Sequence, residues 1–418
     1  HALTSWLHEL SLISSNEVLL EALHVLGGLK FSIIIKTLKM YSWVFTGFTN
    51  PKVERTALIR KLSCFADKEG KTRVVAIGDY FSQTVLKGLH NYLYRVLKKI
   101  PQDCTFDQGK FRDGIRDWPV YYSVDLTAAT DRFPIQVISD LLKAHLPSAY
   151  VDAWRTVMVG FPFSFAGKEY SYSVGNPMGF YSSFASFAVA HHYVMFHLCM
   201  KLGRSWKDSP YFILGDDILI GDKDLGEAYL EFIQSLGVSV SSAKTHRSTD
   251  LLEFTKRWIY KGEEISPFPL SALKGCGKKY YLLTDLLARL EERGWTFKLG
   301  VSGMVGLFYK VFFNRPSRYA KVMTKNSLVQ EQIMKIIWGT IPAVDGFKTI
   351  AGQYSIPSLS STSKAVFLKI AGVMHRLFLE SSDLDKKGNS QPLGLMAEHL
   401  VMRITGIEDP NMPLLLEN

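Results

Sequence analysis

Two adjacent carboxylates lie in the middle of an apolar stretch of this chain. Gly215, Asp216 and Asp217 follow Tyr-Phe-Ile-Leu and precede Ile-Leu-Ile, a pattern typical of two β-strands joined by a tight turn with the acids at its tip. A third acid, Asp125, ends the β-branched and aromatic run 120–124. Two-metal phosphoryl transfer requires carboxylates from different strands around two divalent ions about 4 Å apart. We therefore predict that Asp125, Asp216 and Asp217 are catalytic ligands of two Mg²⁺ ions, for which Mn²⁺ can substitute.

The elements around these acids follow one order. The pattern predicts a strand that ends at Asp125, a helix over residues 182–202, the hairpin over 211–220, a helix over 225–236 and a last strand over 238–240. This β-α-β-β-α-β order is that of a ferredoxin-like sheet, with residues 132–174 as an excursion from it. We therefore expect an α+β fold, and the sheet resembles the palm of a template-dependent polymerase.

Six ordered motifs resemble those of one family. Asp125-Leu-Thr-Ala-Ala-Thr-Asp131 is similar to the first palm motif of viral RNA-dependent RNA polymerases, Gly175-Asn-Pro-Met-Gly-Phe-Tyr-Ser-Ser183 to the second, and the Gly-Asp-Asp turn to the third. The basic segment 69–83 resembles a fingers motif, and Lys244 and segment 253–257 resemble the fourth and fifth palm motifs. The second motif, which continues into two histidines, and the hairpin are most similar to mitoviruses, the capsidless narnavirus-like agents of fungal mitochondria.

The resemblance spans about residues 69–270 and implies a division of the chain. It implies a right-hand polymerase with fingers over 1–119, a palm over 120–270 and a mostly helical thumb over 271–418. It also implies RNA-templated synthesis of RNA from ribonucleoside triphosphates, with an RNA template and a product strand as partners.

The basic segment and the second motif supply candidates for nucleotide binding. Lys71 and Arg73 lie on one face of an extended segment, where they would bind triphosphate oxygens through charge-assisted hydrogen bonds. An exposed basic strand is the alternative. Gly175, Pro177 and Gly179 form a loop of low steric bulk, so the backbone can approach a nucleotide.

Asp131 and Ser183 are candidates for sugar selection, because a carboxylate and a hydroxyl can bind a ribose 2′-OH. Ser182 is a further candidate for nucleotide contact, although helix capping alone would explain both serines. Some related polymerases carry an asparagine one helical turn beyond the serine, and this chain has Phe187 there. The details of ribose recognition therefore differ from that pattern.

The remaining candidates have a functional and a plainer interpretation. Lys244 would protonate the pyrophosphate leaving group, which suits a lysine whose pKa is lowered by its surroundings; the alternative is an ordinary surface lysine. Lys256 and Arg257 would contact primer or nucleotide phosphates. His191 and His192 lie on an apolar helix, where packing histidines are more common than ligands.

The composition is compatible with a polyanionic partner. The 418 residues include 49 Lys and Arg and 39 Asp and Glu, a net charge of +10, which suits RNA, DNA or an anionic membrane. The four cysteines have no disulfide or metal spacing, so an intracellular, reducing environment is expected. We expect a monomer without a membrane span, a signal peptide or a transit sequence. Because residue 1 is His, we expect the chain to begin within a longer product, and the mitochondrion is implied by the resemblance only.

Two other functions share part of this pattern. A reverse transcriptase has the same palm but usually carries an aromatic residue before the Asp pair, where this chain has Gly215. An inactive remnant of an integrated viral gene would act only as an RNA-binding protein. The presence of Asp125, Asp216, Lys71 and Arg73 argues against a remnant. The leading hypothesis is therefore an RNA-dependent RNA polymerase.

Overall fold

The computed structural model of the protein describes residues 2–44, 60–66, 72–276, 279–337, 340–342, 345–346 and 348–350. The chain divides into two compact units, His1–Ser266 and Pro267–Asn418. The ranges predicted for the fingers and the palm fall in the first unit, except that the palm range ends four residues beyond the division at residue 266. The range predicted for the thumb falls in the second unit.

The described part of the first unit contains both helices and strands. Its helices are α1 (Ala2–Ser14), α2 (Glu17–Met40), α3 (Tyr80–Leu97), α4 (Phe111–Gly114), α5 (Ala129–Arg132), α6 (Ile135–Lys143), α7 (Ser148–Val159), α8 (Ser183–Lys201) and α9 (Lys223–Ser235). Its strands are β1 (Lys61–Ala66), β2 (Thr72–Ile77), β3 (Tyr121–Asp125), β4 (Phe163–Phe165), β5 (Lys168–Tyr170), β6 (Tyr211–Leu214), β7 (Asp217–Ile220), β8 (His246–Ser248), β9 (Leu251–Phe254), β10 (Arg257–Tyr260) and β11 (Glu263–Glu264).

The second unit is helical where it is described. Its helices are α10 (Leu270–Cys276), α11 (Tyr280–Glu292), α12 (Gly300–Val311) and α13 (Ser317–Ile337). Their apolar faces enclose a separate core that includes Leu283, Leu287, Val301 and Val305. The chain is therefore a mixed α+β protein, as predicted.

The central sheet of the first unit has the strand order β6-β7-β3-β8, and all of its pairs are antiparallel. With α8 before β6 and α9 after β7, this is the predicted ferredoxin-like order. The predicted strand over 238–240 is wrong, because only Val240 forms a bridge, with Leu126. The Ser241 amide then bonds the Asp125 carbonyl, the chain turns, and β8 takes the fourth place in the sheet.

Both faces of this sheet are covered. The side chains on one face of the sheet pack into the main core with α8 and α9; they are Tyr122, Val124, Ile218 and Ile220. Leu219 lies on the opposite face and packs in a second cluster with Leu252 and Phe254 of β9. Burial on both faces explains why the strands are continuously apolar in sequence. Asp125 and Asp217 lie on the same face of the sheet as Leu219, so their side chains project toward β9.

The segment predicted as an excursion from the central sheet starts and ends at one point. The Ile135 amide donates to the Val174 carbonyl at 2.8 Å, across the 38 residues between them. Between these residues, β4 pairs in parallel with β1 through Lys61 and Ser164. The resulting sheet, ordered β2-β1-β4-β5, contains the strand that carries Arg73.

Helix α2 is long and apolar enough to cross a membrane by length and composition alone, in contrast to the expectation that no such segment exists in the chain. Only 28% of its most apolar window is buried in the protein. Gly28, with φ of +64° and ψ of −164°, interrupts its helical geometry. Core helices and signal sequences have similar length and composition, so α2 alone does not assign the chain to a membrane.

Candidate active site

A two-residue turn joins β6 to β7 and presents the Asp pair. Leu214 and Asp217 are the last partners of the hairpin, so Gly215 and Asp216 form the turn. The φ angle is +61° at Gly215 and negative at Asp216, the sign pattern of a type II′ turn. A Cβ at position 215 would also lie 2.7 Å from the ring of Phe184. The turn therefore requires glycine, and the predicted hairpin is confirmed.

The pairing of β3 with β7 brings the third acid to the same place. Asp125 and Asp217 are directly opposite each other in this antiparallel pair. Such partners project from the same face of a sheet. Asp216 follows in the turn, where the residue is accessible to solvent but its carboxyl is partly surrounded by protein atoms. The structure thus gathers all three predicted carboxylates at one end of the central sheet.

Lys244 lies beside the first of these acids, with its Nζ 3.2 Å from Asp125 Oδ2. Thr245 Oγ1 accepts a hydrogen bond from the Asp125 amide at 3.3 Å, which holds this loop against β3. The hydrogen bond from Lys244 to Asp125 raises the pKa of Lys244 above its ordinary value. The expectation of a lowered pKa is wrong, because the carboxylate contact outweighs the partial burial of the amine. Lys244 is therefore protonated at neutral pH.

Burial and neighbouring charges raise the pKa values of the two acids of the turn. Burial and the charge of Asp125 raise the pKa of Asp216. Burial, followed by the charges of Asp216, Asp125 and Glu253, raises the pKa of Asp217 to about 7. A divalent cation would relieve this repulsion, and Mg²⁺ prefers carboxylate oxygens. Among the residues that the structure describes, no three His, Cys, Asp or Glu side chains enclose an ion by themselves, so the fit is one of charge and donor type.

Glu253 is a further acid at this site that sequence reasoning did not single out. Its amide donates to Ser123 Oγ at 3.0 Å, which ties β9 to β3. Burial raises the pKa of Glu253, and the charge of Asp125 adds to the increase. Segment 253–257 was predicted as a motif, but only the position of β9 against β3 places Glu253 itself near the other acids.

A cavity of about 670 Å³ adjoins the carboxylate turn. Its lining includes Arg73 of β2, Gly179 of the loop before α8, Ser183 and Phe184 at the start of α8, and Asp216. A cavity of this size can hold a nucleotide-sized ligand. The charge of Arg73 is close enough to favour the ionised form of Asp216. Residues predicted separately for the triphosphate, the loop, the sugar and the metal therefore line one space.

Two close backbone approaches hold the loop before α8. Gly179 has a φ of +114°, and a Cβ there would lie 2.5 Å from the Ala76 carbonyl oxygen. The Ala76 amide in turn donates to the Met178 carbonyl at 2.7 Å. A Cβ at Gly175 would overlap the Thr130 carbonyl oxygen. The loop is thus confined between β2 and the segment that follows β3, which only glycine permits at these two positions.

Two side chains of α3 also hold this loop, and sequence reasoning missed both roles. Gln83 Nε2 donates to the Gly179 carbonyl at 3.1 Å, and its Oε1 accepts from the Tyr181 amide at 2.9 Å. His90 Nδ1 accepts from the Ser182 amide at 3.2 Å. Gln83 and His90 also line the cavity, so α3 positions the loop and forms part of the site wall.

The two serines at the start of α8 are bonded within the protein. Ser182 is buried, and its Oγ accepts from Trp154 Nε1 at 2.9 Å. It occupies the N-cap position of α8 without a capping hydrogen bond from its side chain, so the capping alternative is wrong for Ser182. Ser183 Oγ donates to Oδ1 of the buried Asn176 at 2.5 Å. Of the two, only Ser183 lines the cavity.

Asp131 lies in the short helix α5, next to residues that line the cavity. Thr130 is part of the lining, whereas Asp131 is exposed beside it. Partial burial of its carboxyl raises the pKa of Asp131. Phe187, one helical turn beyond Ser183, also lines the cavity.

Two predicted phosphate-binding residues lie on the β9–β10 hairpin and do not line the cavity. Lys256 is exposed in its two-residue turn, where Thr255 and Lys256 both have positive φ. Arg257 is buried, and its guanidinium donates two hydrogen bonds to the Glu264 carboxylate at 3.1 and 2.5 Å. The charge of Arg257 is therefore compensated inside the protein. Lys71 lies outside the described residues.

Comparisons with known proteins place the chain in a family. Residues 1–368 match the family described as mitovirus RNA-dependent RNA polymerase. The chain is 36% identical over 205 residues to the RNA-directed RNA polymerase of Cryphonectria parasitica mitovirus 1 (strain American chestnut tree/New Jersey/NB631), which covers 48% of this chain and 25% of that protein. It is 34% identical over 224 residues to an uncharacterised mitochondrial protein of Arabidopsis thaliana, over 48% of this chain and 88% of that protein.

One similar solved structure is an insertion-loop deletion mutant of the RNA-dependent RNA polymerase of a human picorbirnavirus. It has a TM-score of 0.42 and 14% identity over 69% of this chain and 64% of that chain. The match to the viral relative above spans about a quarter of that protein's length. Because the family match extends over most of the sequence, the chain belongs to the mitovirus RNA-dependent RNA polymerase family.

Proposed function

We propose that this chain is the catalytic part of an RNA-dependent RNA polymerase that replicates a viral RNA genome. It would add ribonucleoside triphosphates to a growing RNA strand on an RNA template. The observation that carries the proposal is the cavity that Arg73, Ser183 and Asp216 share. A nucleoside triphosphate needs a cation for its phosphates, polar groups for its sugar and acids that hold metal ions, and this cavity brings the three together.

The phosphates are the part of the substrate that the fingers strand would bind. Arg73 of β2 would donate charge-assisted hydrogen bonds to the triphosphate, and Lys71, two residues earlier in the chain, would support it. Gly179 would let the loop backbone approach the nucleotide closely. Gln83 would keep the loop in place through its two backbone contacts.

The carboxylates would hold two Mg²⁺ ions, with Asp125, Asp216 and Asp217 as ligands and Mn²⁺ as a possible substitute. When bound, the ions supply activation of the attacking 3′-hydroxyl and stabilisation of the leaving oxygen. Burial and the neighbouring acids raise the pKa of Asp217 to about 7, which supports this assignment, since bound cations would stabilise the ionised carboxylates.

Lys244 would protonate the pyrophosphate leaving group. Its amine is protonated at neutral pH and lies against Asp125, so a proton donor is held at the carboxylate cluster. General acid catalysis of this kind contributes about 10²- to 10⁴-fold to a rate.

Sugar selection would rest on Asp131 and Ser183. Both are near the cavity, and Ser183 would exchange its bond to Asn176 for one to the ribose. A deoxynucleotide would leave these polar groups less satisfied, at a cost of about 1–3 kcal/mol. Asp131→Ala should therefore reduce the use of ribonucleotides more than that of deoxyribonucleotides. An unchanged ratio of the two kcat/KM values would locate the sugar contact elsewhere.

The decisive experiment measures incorporation of labelled nucleotides on a short RNA template with Mg²⁺. We expect ribonucleotide incorporation that Asp216→Ala abolishes while the Tm stays close to that of the parent chain. Asp113→Ala, at an exposed acid paired with Arg116, is the matched control and should retain synthesis. Synthesis by Asp216→Ala within tenfold of the parent would overturn the metal assignment. A preference of the parent for deoxyribonucleotides would favour a reverse transcriptase. If the parent shows no synthesis at all, that result would favour an inactive remnant.

The partners and the location follow from the same proposal. The net charge of +10 supports binding of an RNA template and its product strand. A mitochondrial location is supported by the mitovirus family match and by the similarity to a plant mitochondrial protein. We further propose that the chain acts as a monomer.

A further inference from the structure

His191 lies directly behind the carboxylate turn. It is fully buried on α8, between the turn and α9. Its Nδ1 is 2.8 Å from the Gly215 carbonyl oxygen, and its Nε2 is 2.7 Å from the Tyr229 hydroxyl, which is also buried. The imidazole therefore bridges the turn that carries Asp216 and the helix that covers the sheet.

The two partners determine which ring nitrogen carries the proton. A carbonyl oxygen only accepts hydrogen bonds, so Nδ1 must carry a hydrogen and donate it to Gly215. The lone pair of Nε2 then accepts the hydrogen of the Tyr229 hydroxyl. Burial lowers the pKa of His191 to about 4, which keeps the ring neutral at physiological pH.

The Gly215 carbonyl belongs to the central peptide of the turn. Rotation of that peptide would convert a type II′ turn into a type I′ turn, in which the residue at position 216 has positive φ. Glycine at position 215 permits many backbone conformations, and the neighbouring acids repel one another. A hydrogen bond to this carbonyl therefore selects one orientation of the Asp216 side chain.

We propose that His191, as the Nδ1–H tautomer, is a positioning residue that holds the Gly215–Asp216 peptide in the orientation needed for synthesis. It acts through the Gly215 carbonyl and touches no reacting atom. The effect on synthesis rests on the proposed polymerase function, whereas the tautomer and the contact do not.

The neighbouring histidine provides an internal control. His192 is equally buried, with its Nδ1 3.1 Å from the Tyr211 hydroxyl and its Nε2 3.1 Å from Asp103 Oδ2. Neither partner belongs to the turn. Equivalent substitutions at the two positions thus compare similar losses of buried hydrogen bonds, only one of which involves the turn.

Amide side chains separate the two roles of the imidazole. His191→Asn places an amide nitrogen near the position of Nδ1 and can still donate to Gly215. His191→Gln places its amide near the position of Nε2, next to Tyr229, and leaves the Gly215 carbonyl without its donor. Both variants should lose a similar amount of Tm.

In the nucleotide incorporation assay, His191→Gln should lower kcat on the order of tenfold to a hundredfold, because small misplacements of catalytic groups have effects of that size. The KM for nucleoside triphosphates should stay within about threefold, while His191→Asn and His192→Gln should retain kcat within about threefold. Equal losses of kcat in His191→Gln and His191→Asn, or an equal loss in His192→Gln, would overturn the proposal.

A second measurement does not depend on activity. Long-range ¹⁵N–¹H spectra of the parent, with His191 assigned by its absence in His191→Asn, should show a neutral ring protonated on Nδ1. A ring protonated on Nε2 would overturn the proposal even if the chain makes RNA. If the parent makes no RNA, the proposed function fails, and the tautomer still tests whether His191 holds the turn.

Discussion

The Ala76 amide donates a 2.7 Å hydrogen bond to the Met178 carbonyl and thereby joins the strand of Arg73 to the loop before α8. Gly179 follows directly, and its missing Cβ leaves room for the Ala76 carbonyl. The two segments form one wall of the cavity. A change at the loop should therefore also move Arg73.

Gly179→Ala should disturb this wall. Its φ of +114° is unfavourable for alanine, and the added Cβ would lie 2.5 Å from the Ala76 oxygen. We expect a loss of about 1–3 kcal/mol in the free energy of unfolding from the backbone alone, and a raised KM for nucleoside triphosphates. Denaturant unfolding and steady-state kinetics measure the two effects.

Gly237→Ala is the matched control for this change. Gly237 also has positive φ, +79°, but a Cβ added there would meet no atom within 4 Å. We expect a loss of about 1–2 kcal/mol with unchanged KM. An equal rise of KM in both variants would show that general destabilisation, and not the wall, is responsible.

Arg73→Ala should raise the KM for nucleoside triphosphates more than it lowers kcat, because a phosphate contact present before and during the reaction contributes to binding throughout. Arg116→Ala is the control, since Arg116 is exposed and pairs with the exposed Asp113. If KM and kcat are unchanged in Arg73→Ala, β2 is an ordinary exposed basic strand without a role in nucleotide binding.

Substitutions of Lys244 distinguish a proton donor from a fixed charge. Lys244→Met should lower kcat by about 10²- to 10⁴-fold. Lys244→Arg keeps the positive charge beside Asp125, but a guanidinium does not give up its proton. If Lys244 donates a proton, arginine should restore little of the kcat. Full recovery with arginine would instead assign Lys244 an electrostatic role.

The buried pair of Arg257 and Glu264 predicts a pH-dependent stability. Burial favours a raised pKa for Glu264, but hydrogen bonds from Arg257 and Ser266 outweigh it and leave the pKa below the ordinary 4.5. A carboxyl with a lowered pKa stabilises the folded state above its unfolded pKa, and the contribution is lost as the pH falls through the folded value. Stability should therefore decrease as the pH falls below about 4.5.

Glu264→Gln should remove this dependence and cost about 3–5 kcal/mol at neutral pH, because it leaves Arg257 buried without a counter-charge. Glu227→Gln breaks an exposed pair with Arg247 and should cost less than about 1 kcal/mol. Urea unfolding at several pH values compares the two variants. The prediction would be contradicted if, at neutral pH, Glu264→Gln lowered the free energy of unfolding by no more than Glu227→Gln does.

Local patterns were enough to predict part of the site. The hairpin at Gly215 and the long helix α8 follow from short-range signals, and the strand ending at Asp125 does as well. These elements determine where the carboxylates lie, so the acid cluster was accessible from sequence.

Other features depend on contacts between distant segments. Arg257 looks like any basic residue in sequence, and only the pairing of β10 with β11 places Glu264 beside it. The replacement of the predicted strand over 238–240 by β8 depends on a turn that bonds Asp125. The roles of Gln83 and His191 likewise exist only after α3 and α8 have packed, so no local pattern could reveal them.

The strand order of the central sheet also constrains when the acid cluster can form during translation. Strand β3 is synthesised before both of its neighbours, β7 and β8. Until the ribosome has passed Ile220, β3 has two unpaired edges, and one edge stays unpaired until Ser248 has been synthesised. Such edges favour aggregation or chaperone binding. A nascent chain interrupted before β7 would carry Asp125 without the strand that brings Asp217 opposite it. The acid cluster can thus assemble only after β7 has been synthesised.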